Sequence, residues 1–502
     1  LFALVAALLL PSLSSVRAAE RVLFAFDDVS IPWKSNLRQT MLTAEKYPGN
    51  PVLTHGPEGA PDHGHAAIYG SVLQVNGKFR MWYLGMPSTT MEHGQAPGFW
   101  RPMCDAESED GIHWTKPELG LVEFNGSKKN NICLVEPELS PLSRVDDYLT
   151  VLYEPTEPDP ARRFKCAFIA HVPFPDVPGG RSKIGPDEKR WCSFICAVSA
   201  DGLTWKVVGD RPANAGGERF EVSGLYHFGK FYYASGQLLS PWIFRPDGGK
   251  IGRAMRVYRS PDFERWDATT ALGFARPGQL IAEPIPGQQT HMGAGIWNRG
   301  NVLVGLYGLW QDAPQAPPKG AKSHLLGTRI DLGFIVSNDG VHWREPEPDH
   351  KTIARGQDGE WDSVALLQAH AFANVGDQTY LWYAHWDCDG EFRHQDVGLA
   401  TLRRDGFGYL SPIQADAPAD FETAFFDVRP GTRLLVNADG VSPESPLKIE
   451  VLDEKLEIIG HAEVAKSGTL TEAMALPAGR LATRVSFGAG SKARLYALYL
   501  AN

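Results

Sequence analysis

Three acidic residues stand at or just ahead of apolar, strand-like runs, where a carboxyl is partly stripped of water without being lost in a core. Glu221 opens the run 222–228 and has Phe220 behind it. That setting raises a carboxyl pKa and keeps a proton available near neutrality. Asp147 opens the run 148–154, with Asp146 the alternative in register, and Asp62 lies seven residues before Tyr69, beside His63 and His65. A protonated carboxyl facing carboxylates that stay ionised is the equipment of general acid–base catalysis. A second group, Gln289, His291, Asp362, Gln368 and His370, precedes or opens two later runs of the same kind. These side chains can bond hydroxyl groups, or they can be satisfied polar groups lining a wet tunnel; both readings stay open. No metal is expected of His63, His65, His291 and His370, since His-x-His is the only ligand spacing among them. Asp387-Cys388-Asp389-Gly390 resembles the start of a calcium loop but lacks the distal Glu, so no cofactor is expected beyond a structural calcium at most.

The elements that must position these residues are announced by a repeat. S-x-D-G-x-x-W occurs at 108, 199 and 337, and reduced copies stand at 260 (SPDFERW) and 403 (RRDGFGY). Successive starts are 91, 61, 77 and 66 residues apart, a period suited to four-stranded propeller blades with variable loops. Asp bonds the backbone two residues on, Gly supplies a positive φ and the Trp covers the end of the sheet, so the box is read as a turn-former that touches no ligand. Each box follows an inner strand, a hairpin such as Asn76-Gly77, and two further strands. With 51 Gly, 37 Pro and 14 Trp, and no long amphipathic helical windows, the class is all-β. The expected architecture is a five-bladed β-propeller over residues 50–414 and a small β-sandwich over 415–502, with 20–49 an arm packed on the propeller.

In such blades the inner-strand entrances and the loops from second to third strand share one face. The long loops near 86–100, 172–190 and 237–250 therefore mark the binding face. Residues 1–19 read as a signal peptide, with Val16 and Ala18 placed as for its peptidase, so an exported, periplasmic or extracellular protein is expected. No later apolar run is long enough to span a membrane, so no membrane insertion is expected. A formal charge of −10 argues against nucleic acid as partner. Six cysteines in 502 residues are not a disulfide framework, and Cys192 and Cys196 lack a second ligand pair for zinc.

On these residues the chain resembles the five-bladed propeller glycosidases of glycoside hydrolase families 43 and 32. The third-unit stretch EVSGLYHFGKFYY, with NPVL, YGSVL, FRMWY and SEDGIHWTKPELGLVEFNGSKKNNI, looks most like an exported bacterial glycosyl-hydrolase-like group. The resemblance covers nearly the whole chain. It implies that Glu221 is the general acid and Asp147 a second carboxylate, paired as glycoside cleavage requires. The chain departs from the pattern at the first strand, where the expected Asp is replaced by a position near Tyr69, and Asp62 is the nearest carboxylate. The implied partner is a polysaccharide or oligosaccharide, with His65, Tyr69, Gln289, His291, Trp361, Asp362, Gln368 and His370 as contact candidates. Trp100, Trp242, Trp310, Trp361 and Trp386 are either sugar-stacking or packing residues. A non-catalytic carbohydrate-binding propeller is the alternative. A sialidase-type enzyme is a further one, since the box resembles the Asp-box of those proteins, and it would require three converging arginines.

Overall fold

The structure, a computed structural model, describes residues 21–87, 101–136, 144–145, 147–173, 190–210, 213, 220–238, 243–244, 250–251, 254–276, 290–312, 327–386 and 394–501. The leader 1–19, Gln289, Trp100, Trp242, the 387–390 segment and most of the three long loops lie outside the described residues. Among the described residues the chain is all-β, with one 3₁₀ turn, Pro160–Arg162, and no α-helix. No helix is long and apolar enough to cross a membrane.

The boxed part of the chain builds curled antiparallel sheets. The clearest is Phe220–Phe228, Phe231–Leu238, Met255–Ser260 and Ala271–Phe274, each strand paired with the next. Asp147–Tyr153, Phe164–Pro173, Arg190–Ser199 and Thr204–Val208 repeat the order. Thr290–Asn298, Leu303–Asp312 and Arg329–Ser337 begin a third set. His370–Val375, Gln378–Trp386 and Val397–Arg403 begin a fourth, and His65–Val75, Lys78–Met86 and Arg101–Ser108 a fifth. Short parallel bridges, Ile330↔Ala365 and His370↔Ser71, merge these last three sets into one twelve-stranded sheet.

Aromatic and branched side chains fill the spaces between neighbouring sets. Trp82 and Phe164 sit between the first and second sets in chain order, Phe194 and Phe220 between the second and third, and Tyr226 and Ile335 between the third and fourth. Phe334 and Phe372 lie between the fourth and fifth, and Tyr83 and Trp382 between the fifth and first. Inner strands come so close that a Cβ at Gly295 would run into the Ala369 carbonyl, and one at Gly224 into that of Ala294. Only glycine allows backbones of neighbouring sheets to approach this far.

The boxes are clasps between sheets. In each full copy the Ser hydroxyl accepts from the Gly N–H, and one Asp oxygen accepts from the backbone N–H groups two and three residues after the Asp. The Gly carbonyl then accepts from an aromatic residue of the adjoining set: Trp382 Nε1 on Gly111 at 2.9 Å, Trp82 Nε1 on Gly202 at 2.7 Å, Tyr226 Oη on Gly340 at 2.7 Å. In the reduced copy Phe263 takes the Gly place at φ 71°. Its left-handed backbone costs about 1–2 kcal/mol, and burying the ring against Trp266 and Tyr232 returns about as much.

Two six-stranded sheets close the chain around a common core that includes Leu434, Ile449, Phe487 and Leu498. The segment expected as an arm over 20–49 does more than lie against its neighbours. Arg21–Phe24 pairs with Arg494–Ala501, Trp33–Ser35 with Ala419–Glu422, and Leu37–Met41 with Gly408–Pro412. Glu45–Lys46 adds an outer strand to Val397–Arg403. Alternation explains the first strand: Val22, Phe24 and Phe26 enter the cluster with Phe334 and Phe372, while Leu23 and Ala25 enter the C-terminal core.

Candidate active site

The inner strands share a feature that the sequence does not announce. Each is interrupted just inside its entrance. Asp147 pairs with Ile169 and Leu149 with Phe168, leaving Tyr148 bulged at φ 47°. Val222 pairs with Gly236 and Gly224 with Ser235, leaving Ser223 over. His291 pairs with Gly308 but Ala294 with Tyr307, and Met292 takes φ 66°. In the strand His65–Val75 the shift falls between Ala67 and Ser71, and between Ala365–Leu367 and His370–Val375 the ladder stops at Gln368 and Ala369. Bulges of this kind re-aim side chains, and here they sit beside the candidate residues.

Glu221 is buried and its carboxylate accepts a hydrogen bond from Gln237 Nε2. Gln237 is buried on the neighbouring strand, and its Oε1 accepts from the Met292 N–H at 3.1 Å. A backbone N–H can only donate, so this bond fixes the amide with its oxygen toward Met292 and its NH₂ toward Glu221. The left-handed turn at Met292 thus orients Gln237, and Gln237 orients the carboxylate. Gln237 was not among the sequence candidates; its one signal was a long amide ending the otherwise small and aromatic run FYYASG.

Asp147 opens its strand next to the bulge at Tyr148, whose ring meets Tyr69 edge-on at 4.6 Å. His291 stacks on Trp386 with ring centroids 5.4 Å apart and meets Trp310 at 5.8 Å. Gln368 donates to the carbonyls of His291 at 2.9 Å and Gly293 at 2.8 Å, so fourth and fifth entrances are tied together. His370 is buried, and burial alone draws its pKa down to about 4. His65 is buried as well; burial first, then Arg101 and nearby imidazoles, bring it to about 3.

Asp62 and Asp362 are placed differently. Asp62 is buried and its Oδ2 accepts from Tyr83 Oη at 2.8 Å and from Lys116. Asp362 repeats this with Tyr383 Oη at 2.8 Å and Lys46 Nζ at 2.7 Å. The loops match as G-x-x-G-x-x-D, Gly56 to Asp62 and Gly356 to Asp362, and in both the first Gly N–H bonds the Asp carbonyl at 3.2 Å. Trp361 lies in the second loop, stacked on Tyr383 at 6.0 Å. These carboxylates are therefore engaged by a lysine and a tyrosine, and Asp362 with Trp361 belongs to that loop.

Among the described residues no group of three or more His, Cys, Asp or Glu is arranged to hold a metal ion. The buried arginines Arg80 and Arg276 serve structural partners, Asp105 at 2.7 Å and Asp349 at 2.5 Å. Cys104, Cys133, Cys166 and Cys196 are buried free thiols.

No family model matches the chain, and no curated protein does. Its structural neighbours are glycoside-hydrolase-like proteins. A glycosyl hydrolase from Bacteroides ovatus is 13% identical with a TM-score of 0.45, covering 72% of this chain and 94% of that one. The Bombyx mori GH32 β-fructofuranosidase BmSUC1 is 11% identical at 0.38, covering 90% and 95%. An exo-β-1,3-galactanase from Phanerochaete chrysosporium is 10% identical at 0.37, covering 92% and 100%. Likeness at this level assigns no activity, which has to be argued from the side chains at the inner-strand entrances.

Proposed function

We propose that the chain is an exported glycoside hydrolase, with Glu221 as general acid and Asp147 as the second carboxylate. Its substrate is a polysaccharide or oligosaccharide. We take the curled sheets as five blades of a propeller and the two C-terminal sheets as a sandwich; supporting this are the recurrent strand order and the core between each neighbouring pair. The observation that carries the catalytic reading is the hydrogen-bonded line from Met292 through Gln237 to Glu221. It fixes a buried carboxyl at a strand entrance, where a glycosidic oxygen can be protonated. His291, Gln368, Trp310 and Trp386 supply a polar and aromatic wall suited to a sugar ring. Asp62, engaged by Lys116 and Tyr83, is given a structural role.

The test is a screen of the purified protein against plant and algal glycans, followed by Glu221→Gln. That change keeps the shape and removes the transferable proton, so hydrolysis should fall by about 10²–10⁴-fold, and less for substrates with good leaving groups. Full activity in the variant sinks the assignment. A second reading, a non-catalytic carbohydrate-binding protein, is favoured by the engagement of Asp62 with Lys116 and Tyr83, since Asp62 is the carboxylate nearest the first inner strand in sequence. Tight glycan binding with no turnover, unchanged in the variant, would select it.

A further inference from the structure

Five of the fifteen histidines gather where the first inner strand meets the segment 394–396, in a chain whose formal charge is −10. His55 and His394 are stacked face to face, ring centroids 3.7 Å apart at 5°. His63 meets His394 at 5.6 Å, and His385, Arg101, His55 and His394 all act electrostatically on His65. Among the described residues, two carboxylates near this group are engaged: Asp396 accepts from His55 N at 2.7 Å and faces its Nδ1 at 2.9 Å, and Asp62 is held by Lys116.

The tautomers follow from the acceptors. His394 Nδ1 faces the carbonyls of His63 at 3.0 Å and Gly64 at 3.1 Å, and His63 Nδ1 faces the Gly56 carbonyl at 3.3 Å. Carbonyls and carboxylates only accept, so Nδ1 carries the proton in His55, His63 and His394. Any further proton is taken up at Nε2, where a lone pair repels an anion and an N–H⁺ attracts one. Two stacked imidazolium rings repel each other. Asp396 offsets one charge, and an anionic ligand can offset the other.

From this the geometry points to an oxyanion subsite at His55, His63 and His394, filled by an anionic group carried on the sugar, a uronate carboxylate or a sulfate ester. The assignment rests on the carbohydrate reading and names the substrate class of that same site. Binding takes up protons at the imidazoles and strengthens as pH falls. Besides the imidazoles, the charged groups facing the cluster among the described residues are Arg101, Lys116, Asp62 and Asp396.

Isothermal titration at pH 5.5 and 7.5, in two buffers of different ionisation enthalpy, tests it with uronate, sulfated and neutral oligosaccharides of equal length. At pH 5.5 one anionic ligand should bind at least about ten-fold tighter than the neutral one, the value of a charge-assisted hydrogen bond. The advantage should shrink at pH 7.5, and heats should reveal proton uptake. In His394→Gln, which retains an N–H donor, the pH dependence should be lost, with a thermal melt showing that the variant is folded. Equal binding of anionic and neutral ligands at both pH values overturns the subsite alone. No binding of any glycan overturns the subsite and the carbohydrate reading together. Inorganic phosphate or sulfate binding as tightly as the anionic sugar, or zinc titrating into the cluster, overturns the sugar-borne oxyanion.

Discussion

Glu221 is useful only if its carboxyl is held in one place, and Gln237 on the neighbouring strand donates to it. Replacing Gln237 by Leu keeps the bulk and removes the donor. A lost hydrogen bond between neutral groups is worth about 0.5–1.5 kcal/mol, so kcat should fall about 2–10-fold while KM moves little. A raised KM with kcat intact would make Gln237 a substrate-binding residue instead. Glu221 was legible because an acidic residue before an apolar run is conspicuous in one dimension. Gln237 was not, because its importance comes from the Met292 N–H across a strand, a partner that no local spacing encodes. For the same reason Lys116, which engages Asp62 from 54 positions away, is not legible beside it.

At the scale of elements, the box repeat gave the register of the strands because Asp, Gly and Trp act locally, within one turn. What the repeat left unread is the partner of the Gly carbonyl on the adjoining sheet. Trp82→Phe keeps the buried ring and strands the Gly202 carbonyl without its donor. Stability should drop by about 1–3 kcal/mol, read from urea midpoints, with glycan affinity unchanged. A neutral result would reduce the clasp to ring packing. A second latch joins Asp147–Tyr153 to Phe220–Phe228: Glu154 takes bonds from Lys165 at 2.7 Å, His227 at 2.6 Å and Tyr232 at 3.0 Å. Burial opposes the charge on Glu154, but His227 and Lys165 outweigh it and bring the pKa to about 2. A folded-state value below the free value of about 4.5 means stability that is present above pH 4.5 and lost as pH falls toward 2. Wild type should therefore exceed Glu154→Gln in melting temperature at pH 7, and the gap should narrow on acidification through pH 4 to 3. A gap independent of pH would show that the charge contributes nothing.

At the scale of the whole molecule, the segment 21–46 pairs with strands that lie beyond residue 396, and pairing between stretches so far apart is not legible in local spacing. Lys46, on the outer strand against Val397–Arg403, reaches Asp362; Lys116, following the bridge Glu107↔Thr115 at the same outer position of the first sheet, reaches Asp62. The two sites are copies of one device, Lys, Asp and Tyr under a G-x-x-G-x-x-D loop. If they are structural, they should fail alike. Lys116→Met and Lys46→Met each leave a buried carboxylate without its cation, which costs about 3–5 kcal/mol when the site is fully dry and somewhat less here, since both lysines are partly exposed. Asp62→Asn and Asp362→Asn leave a partly hydrated lysine and a tyrosine with a neutral acceptor, so each should cost less, about 1–2 kcal/mol. The decisive comparison is activity per folded molecule: Asp62→Asn should stay within about ten-fold of wild type, well short of the loss expected for removing a proton donor. If Asp62→Asn instead abolishes turnover at unchanged stability while Asp362→Asn does not, the likeness of the two sites is only geometric, and Asp62 acts on the substrate after all.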